Sequence, residues 1–178
     1  MDFKAVISAL LKYFGEHRIR YGLMGGFALG LWGTARATVD LDFLVNREDM
    51  EKVDQIMREL GYERGFWTEN VSQYISRLKL FGEVDFLHAF RRVSIEMLER
   101  TEEKEIFGGE IKIKVLMPED LIGLKLQAIK NDPARKEGDM ADVKALASVL
   151  RQQLDWVLIG KYAEILDAMD LLKELHDE

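Results

Sequence analysis

The apolar positions fall into clear periods along the chain. Phe3, Val6, Ile7, Leu10, Leu11 and Phe14 recur at helical spacing and predict a first helix over residues 3–14, closed by Gly15. Residues 19–24 predict a short strand broken by Gly25-Gly26, and Phe27, Ala28, Leu29, Leu31 and Trp32 suit a short buried helix. After a loop over 33–38, residues 39–45 read as an apolar strand interrupted only by Asp40 and Asp42. Asn46 is placed to cap the next helix, with Asp49 as its capping-box partner. Met50, Val53, Ile56, Met57 and Leu60 form that helix's stripe, and Gly61 ends it. Strand patterns follow over 62–67, 74–81 and 84–87, then a helix over 93–100. Residues 105–107 and 111–116 flank Gly108-Gly109, a two-residue hairpin signal. Pro118 opens a helix whose first turn carries Glu119 and Asp120, and helical patterns run on to the end, with breaks expected near Asp132-Pro133 and Gly160.

This order predicts an α/β (α+β) fold: a mixed, largely antiparallel sheet flanked by helices, followed by a helical C-terminal part. The change of pattern near Met117 divides an α/β core, residues 1–117, from a helical part, residues 118–178, expected to pack on it. No tandem repeat or low-complexity tract interrupts the chain.

Composition narrows the possibilities. With 48% hydrophobic and 32% charged residues among 178, the chain can bury a core without staples. The absence of cysteine excludes disulfides, thiolate metal sites and a cysteine nucleophile. Twenty-five basic against 32 acidic residues, a formal charge of −7, argue against a general nucleic-acid binder. No apolar run approaches the ~20 residues that span a bilayer, and Met1-Asp2-Phe3-Lys4 does not open a secretory signal, so a soluble, cytoplasmic chain is expected.

The chemistry gathers around the first two strands. Asp40 and Asp42 are two apart in a strand, so both carboxylates leave one face, with Leu41 and Phe43 on the other. Two anions in an otherwise apolar strand call for a compensating cation, and a hard divalent ion such as Mg²⁺ (or Mn²⁺) takes oxygen ligands. Upstream, a strand, Gly25-Gly26 and a helix bring backbone N–H groups close to an anion. A phosphate there, beside metals held by Asp40 and Asp42, is the arrangement of phosphoryl or nucleotidyl transfer. Asp85, in Glu83-Val84-Asp85-Phe86-Leu87, is the best candidate for a third carboxylate, binding a second metal or accepting a proton.

Other motifs fail. Gly25 and Gly30 have Walker-A spacing, but Leu31-Trp32 follow where Lys and Ser/Thr belong. A calcium loop is excluded by Leu44 and Val45. His17, His88 and His176 form no metal motif, though His88 lies three residues beyond Asp85 and could edge the site. Phe66, Trp67, Tyr74 and Phe81 could stack a base, but strand aromatics more often belong to the core.

Met24-Gly25-Gly26-Phe27-Ala28-Leu29, then Gly33, Arg36, Thr38 and Asp40-Leu41-Asp42, resembles the nucleotidyltransferase superfamily that includes DNA polymerase beta. The likeness is greatest to its small bacterial branch, the minimal nucleotidyltransferases and abortive-infection type toxins. Met117-Pro118-Glu119-Asp120-Leu121, Lys125, Arg135, Asp139 and Asp142 are similar to the helical part of that branch. The resemblance implies the nucleotidyltransferase fold, with Gly25 and Gly26 on the triphosphate and Asp40, Asp42 and Asp85 as metal-binding and catalytic residues. It further implies Arg36, Thr38 and Lys125 as nucleotide-binding residues. Two departures stand out. Many active members carry Gly-Ser where this chain has Gly25-Gly26, and Gly138 precedes Asp139 where relatives often carry lysine.

The expected activity is metal-dependent transfer of a nucleoside monophosphate from an NTP to a hydroxyl or phosphate acceptor: a small molecule, a tRNA end or a protein side chain. The alternative is a non-catalytic protein of the same fold that binds a nucleotide or a protein, for instance as half of a toxin–antitoxin pair. A metal-dependent phosphoesterase lacks its usual histidines.

Overall fold

The computed structural model describes residues 1–78 and 80–175. His176 lies outside them. Two compact units account for the chain, one comprising residues 1–28 and 36–116, the other 29–35 and 117–178.

The first unit is built on seven strands: β1 (Tyr21–Met24), β2 (Asp40–Asn46), β3 (Tyr62–Trp67), β4 (Val71–Ser76), β5 (Glu83–Ala89), β6 (Glu102–Ile106) and β7 (Ile111–Val115). They form one sheet in the order β3-β4-β5-β2-β1-β7-β6. The pairs β2–β5 and β1–β7 are parallel; the other four are antiparallel. The mixed, largely antiparallel α/β architecture is therefore the one expected.

Helix α1 (Phe3–Glu16) covers one sheet face. Its Phe14 meets Tyr21, Phe43 and Phe86 with ring centroids 5.2, 5.8 and 6.4 Å away. Helix α3 (Met50–Glu59) buries Met50, Val53, Ile56 and Met57, and its Asp54 accepts a hydrogen bond from the buried Tyr74 hydroxyl at 2.9 Å. The odd positions of β2, Leu41, Phe43 and Val45, point into this core and are fully buried. Asp40 and Asp42 are thereby committed to the opposite face.

The second unit is helical: α5 (Pro118–Asn131), α6 (Lys136–Leu150), α7 (Trp156–Ile165) and α8 (Met169–Lys173). Helix α2 (Gly25–Leu31) begins in the first unit and ends in the second, and α4 (Arg92–Glu99) packs on β1 and β2.

Several boundaries differ from the sequence pattern. Helix α1 runs through Gly15, and Arg18, with φ 54°, makes the left-handed turn. Asn46 caps a 3₁₀ turn (Arg47–Asp49) that precedes α3, its side chain accepting from the Glu48 N–H at 3.0 Å. The middle strand is 71–76, so Phe81 falls in a turn rather than a strand. The hairpin ladder closes at Ile106↔Ile111, leaving a four-residue turn in which Phe107, Gly108 and Gly109 all have positive φ. Helix α7 passes through Gly160; the break lies upstream, between the end of α6 at Leu150 and Asp155, which caps the start of α7 by accepting from the N–H groups of Val157 and Leu158. Among the described residues no helix is long and apolar enough to cross a membrane.

Candidate active site

Register brings the acidic residues together. Asp42 lies opposite Asp85, and Asp40 opposite Glu83, across the parallel β2–β5 pair. Lateral neighbours in a sheet project from the same face, so four carboxylates share one patch. All four residues are half-buried.

The glycine turn sits against this patch. Gly25 follows β1 with φ 67°, the left-handed region that suits glycine. A Cβ there would overlap Asp42 Oδ2, with the carboxyl carbon 2.5 Å away. The Asp42 carboxylate therefore lies flat against the bare Gly25 backbone. At Gly26 a Cβ would meet Thr38 Cβ at 2.8 Å and Oγ1 at 2.9 Å. Thr38 in turn donates its hydroxyl to Asp40 Oδ1 at 2.5 Å. Two glycines, one threonine and two aspartates thus form one continuous contact. Arg36 is exposed, with its Cγ 3.6 Å from that same Gly26 Cβ position.

The Asp85 carboxyl is perturbed by its surroundings. Burial, then the charges of Glu83 and Asp40, push its carboxyl from 3.8 up to about 6, against a hydrogen bond from Gln73. Its Oδ1 is buried with no hydrogen-bond partner.

The fit to a divalent cation rests on these observations. Among the described residues no three or more His, Asp or Glu side chains are gathered as a finished metal cage, since Asp40 turns to Thr38 and Asp42 to Gly25. The donors nonetheless suit a hard dication: every one is a carboxylate oxygen, and one of them is orphaned. Mg²⁺ is commonly held by one or two carboxylates plus substrate phosphates rather than by an all-protein cage.

Of the remaining candidates, Lys125, on α5, is paired with Asp139 at 2.8 Å and Asp142 at 2.6 Å within the helical unit. Burial works to raise the Asp139 carboxyl, but hydrogen bonds from Arg135 and Lys125 prevail and hold it below its usual value. His88 faces the α1 side of the sheet, opposite to Asp85; it is buried, hydrogen-bonded to Ser72 at 3.0 Å and to the Glu69 carbonyl at 3.0 Å. Tyr74 is core, whereas Phe66 and Trp67 are exposed. Glu83 and Gln73 were not singled out from the sequence. Glu83-Val84-Asp85 repeats the spacing of Asp40-Leu41-Asp42, which was a usable signal; Gln73 had none.

A model of one family, described as an uncharacterised nucleotidyltransferase, matches residues 3–175, and the chain belongs to that family. No curated protein matches it. Among solved structures, the solution structure of the antibiotic-resistance factor ANT(2'')-Ia superimposes with a TM-score of 0.71 at 15% identity, covering 100% of both chains. The crystal structure of ANT(2'')-Ia in complex with adenylyl-2''-tobramycin gives 0.67 at 14% identity, over 90% of this chain and 96% of that one. The lincomycin-bound lincosamide antibiotic adenylyltransferase LnuA gives 0.58 at 16% identity, over 82% and 96%. At these identities the likeness is one of fold.

Proposed function

We propose that the chain transfers a nucleoside monophosphate from an NTP to a hydroxyl of a small-molecule acceptor, with Asp40, Asp42 and Asp85 as the metal-binding carboxylates. The observation that carries this reading is the contact of Asp42 with Gly25, which sets a metal-ligand carboxylate beside a backbone shaped for phosphate. In the reaction the acceptor oxygen forms a bond to the α-phosphorus, the bond to the β-phosphate oxygen breaks, and pyrophosphate leaves. Mg²⁺ or Mn²⁺, when bound, neutralises the charge of the triphosphate and the leaving group.

The chain's own residues have distinct parts. The N–H groups at Gly25 and Gly26 receive triphosphate oxygens at the start of α2. Thr38 holds Asp40 through its hydroxyl, and Arg36 balances phosphate charge. Asp85 takes the acceptor's proton, its orphaned Oδ1 being left to the cation. Lys125 rests in this reading on the resemblance alone, since Asp139 and Asp142 already balance its charge.

The structural neighbours act on antibiotics by name, which favours a small acceptor over a tRNA end or a paired antitoxin. ATP is the first donor to try, because LnuA is named an adenylyltransferase and ANT(2'')-Ia was crystallised with an adenylylated product. The test is transfer of label from α-labelled NTP, with Mg²⁺, onto a panel of hydroxylated small molecules. Asp40→Asn and Asp42→Asn are each expected to lower the rate on the order of 100-fold or more. Transfer undiminished in both variants would overturn the assignment.

A further inference from the structure

The patch holds more carboxylates than the reaction uses. Asp40, Asp42, Glu83 and Asp85 leave one face of two adjacent strands. Such a cluster repels itself, and proteins commonly balance it with a lysine or arginine. To Glu83 and Asp85 the neighbouring strand supplies an uncharged amide. Gln73 on β4 lies directly opposite Asp85. Its Nε2 donates to Glu83 Oε1 at 2.5 Å, and its side chain also hydrogen-bonds Asp85. The carbonyl end faces the other way, with Oε1 3.5 Å from the point where a Cβ on Gly65 of β3 would stand. The amide is thus oriented with its two N–H groups toward the carboxylates.

We infer that Gln73 is a positioning residue for the metal site: a neutral bridge that holds Glu83 and Asp85 side by side without cancelling their charge. This rests on the proposed function for its metal, though not for its geometry. A primary amide is the side-chain group suited to the task. It offers two donors from one nitrogen and adds no formal charge. A leucine of similar size would leave the carboxylates unbridged. A glutamate would add repulsion. A lysine would satisfy both anions as well as the amide does, but it would stand where the dication is needed. The bridge also explains why one oxygen of Asp85 remains orphaned: with Gln73 engaging the carboxylate from β4, Oδ1 is left for a ligand.

The experiment compares wild type, Gln73→Leu and Gln73→Lys by Mn²⁺ titration calorimetry without nucleotide, by NTP turnover and by melting temperature. Gln73→Leu should weaken Mn²⁺ binding by about tenfold and lower kcat more than it raises KM for NTP. Gln73→Lys separates positioning from mere support. It should melt at or above the wild-type temperature, because the lysine relieves the carboxylate repulsion, yet lose Mn²⁺ binding by at least about tenfold. Wild-type Mn²⁺ affinity in both variants would overturn the bridge while leaving the transferase reading intact. Failure of the wild-type chain to bind Mn²⁺ or turn over NTP would overturn both.

Discussion

At the residue scale, Asp85 and Gly25 carry opposite lessons about strain. The Asp85 carboxyl is raised from 3.8 to about 6, first by burial and then by its anionic neighbours Glu83 and Asp40. Between those two values the folded chain binds more protons than the unfolded one, so this group makes stability fall as pH rises across that window. At pH 7 the metal-free protein therefore holds an unfavourable charge. Asp85→Asn should raise stability there by on the order of 1 kcal/mol after solvent screening is discounted, seen as a higher melting temperature, and the gain should vanish near pH 4. Thermal melts of both proteins across pH 4–8 in EDTA read this directly. Gly25 is the reverse case, since its strain appears only on substitution. Gly25→Ala meets a left-handed φ, worth roughly 1–2 kcal/mol, and drives a methyl group into the Asp42 carboxylate. The expected outcome is loss of NTP transfer in a protein that is less stable but still folded, checked by urea melts alongside turnover.

At the scale of elements, the helical unit uses buried acids as fasteners. Asp120 on α5 is fully buried and accepts the hydroxyl proton of Tyr162 on α7 at 2.6 Å. Glu119 beside it accepts from the Asp155 N–H at 2.8 Å. Tyr162→Phe deprives a buried carboxylate of a donor and should cost about 1–3 kcal/mol in denaturant unfolding. From the sequence these acids read as helix-dipole partners at an N-terminus, a local role. Their tertiary role was invisible, because it depends on a residue some forty positions away. The same division runs through the whole reading. Periodicity exposed the strand bearing Asp40 and Asp42 and the shared face of their side chains, since two-residue alternation is local. It could not show which strand pairs with which, so Asp85 was reached by resemblance and by its apolar surroundings, and Gln73 not at all. Gly15 and Gly160 misled for a related reason. Neither is where the chain stops being helical: α1 ends at the His17 cap, and α7 runs on from the Asp155 cap to Leu166.

For the whole molecule, charge sets the order of events. With a formal charge of −7 and four carboxylates on one sheet face, the chain repels a bare triphosphate. A non-hydrolysable NTP should therefore leave the melting temperature unchanged in EDTA. With Mg²⁺ present it should stabilise the fold by about 2.7 kcal/mol at a hundred times the dissociation constant, and so raise the melting temperature. A thermal-shift series with and without the metal checks this, and an equal shift in EDTA would place the nucleotide away from the carboxylates.

The neighbourhood of Gly26 has a corollary for substitution. The volume a serine side chain would fill at position 26 is already taken by Thr38, whose hydroxyl stands 2.9 Å from where that serine's first carbon would be. Grafting a serine alone at position 26 should therefore be poorly tolerated until the threonine is shortened.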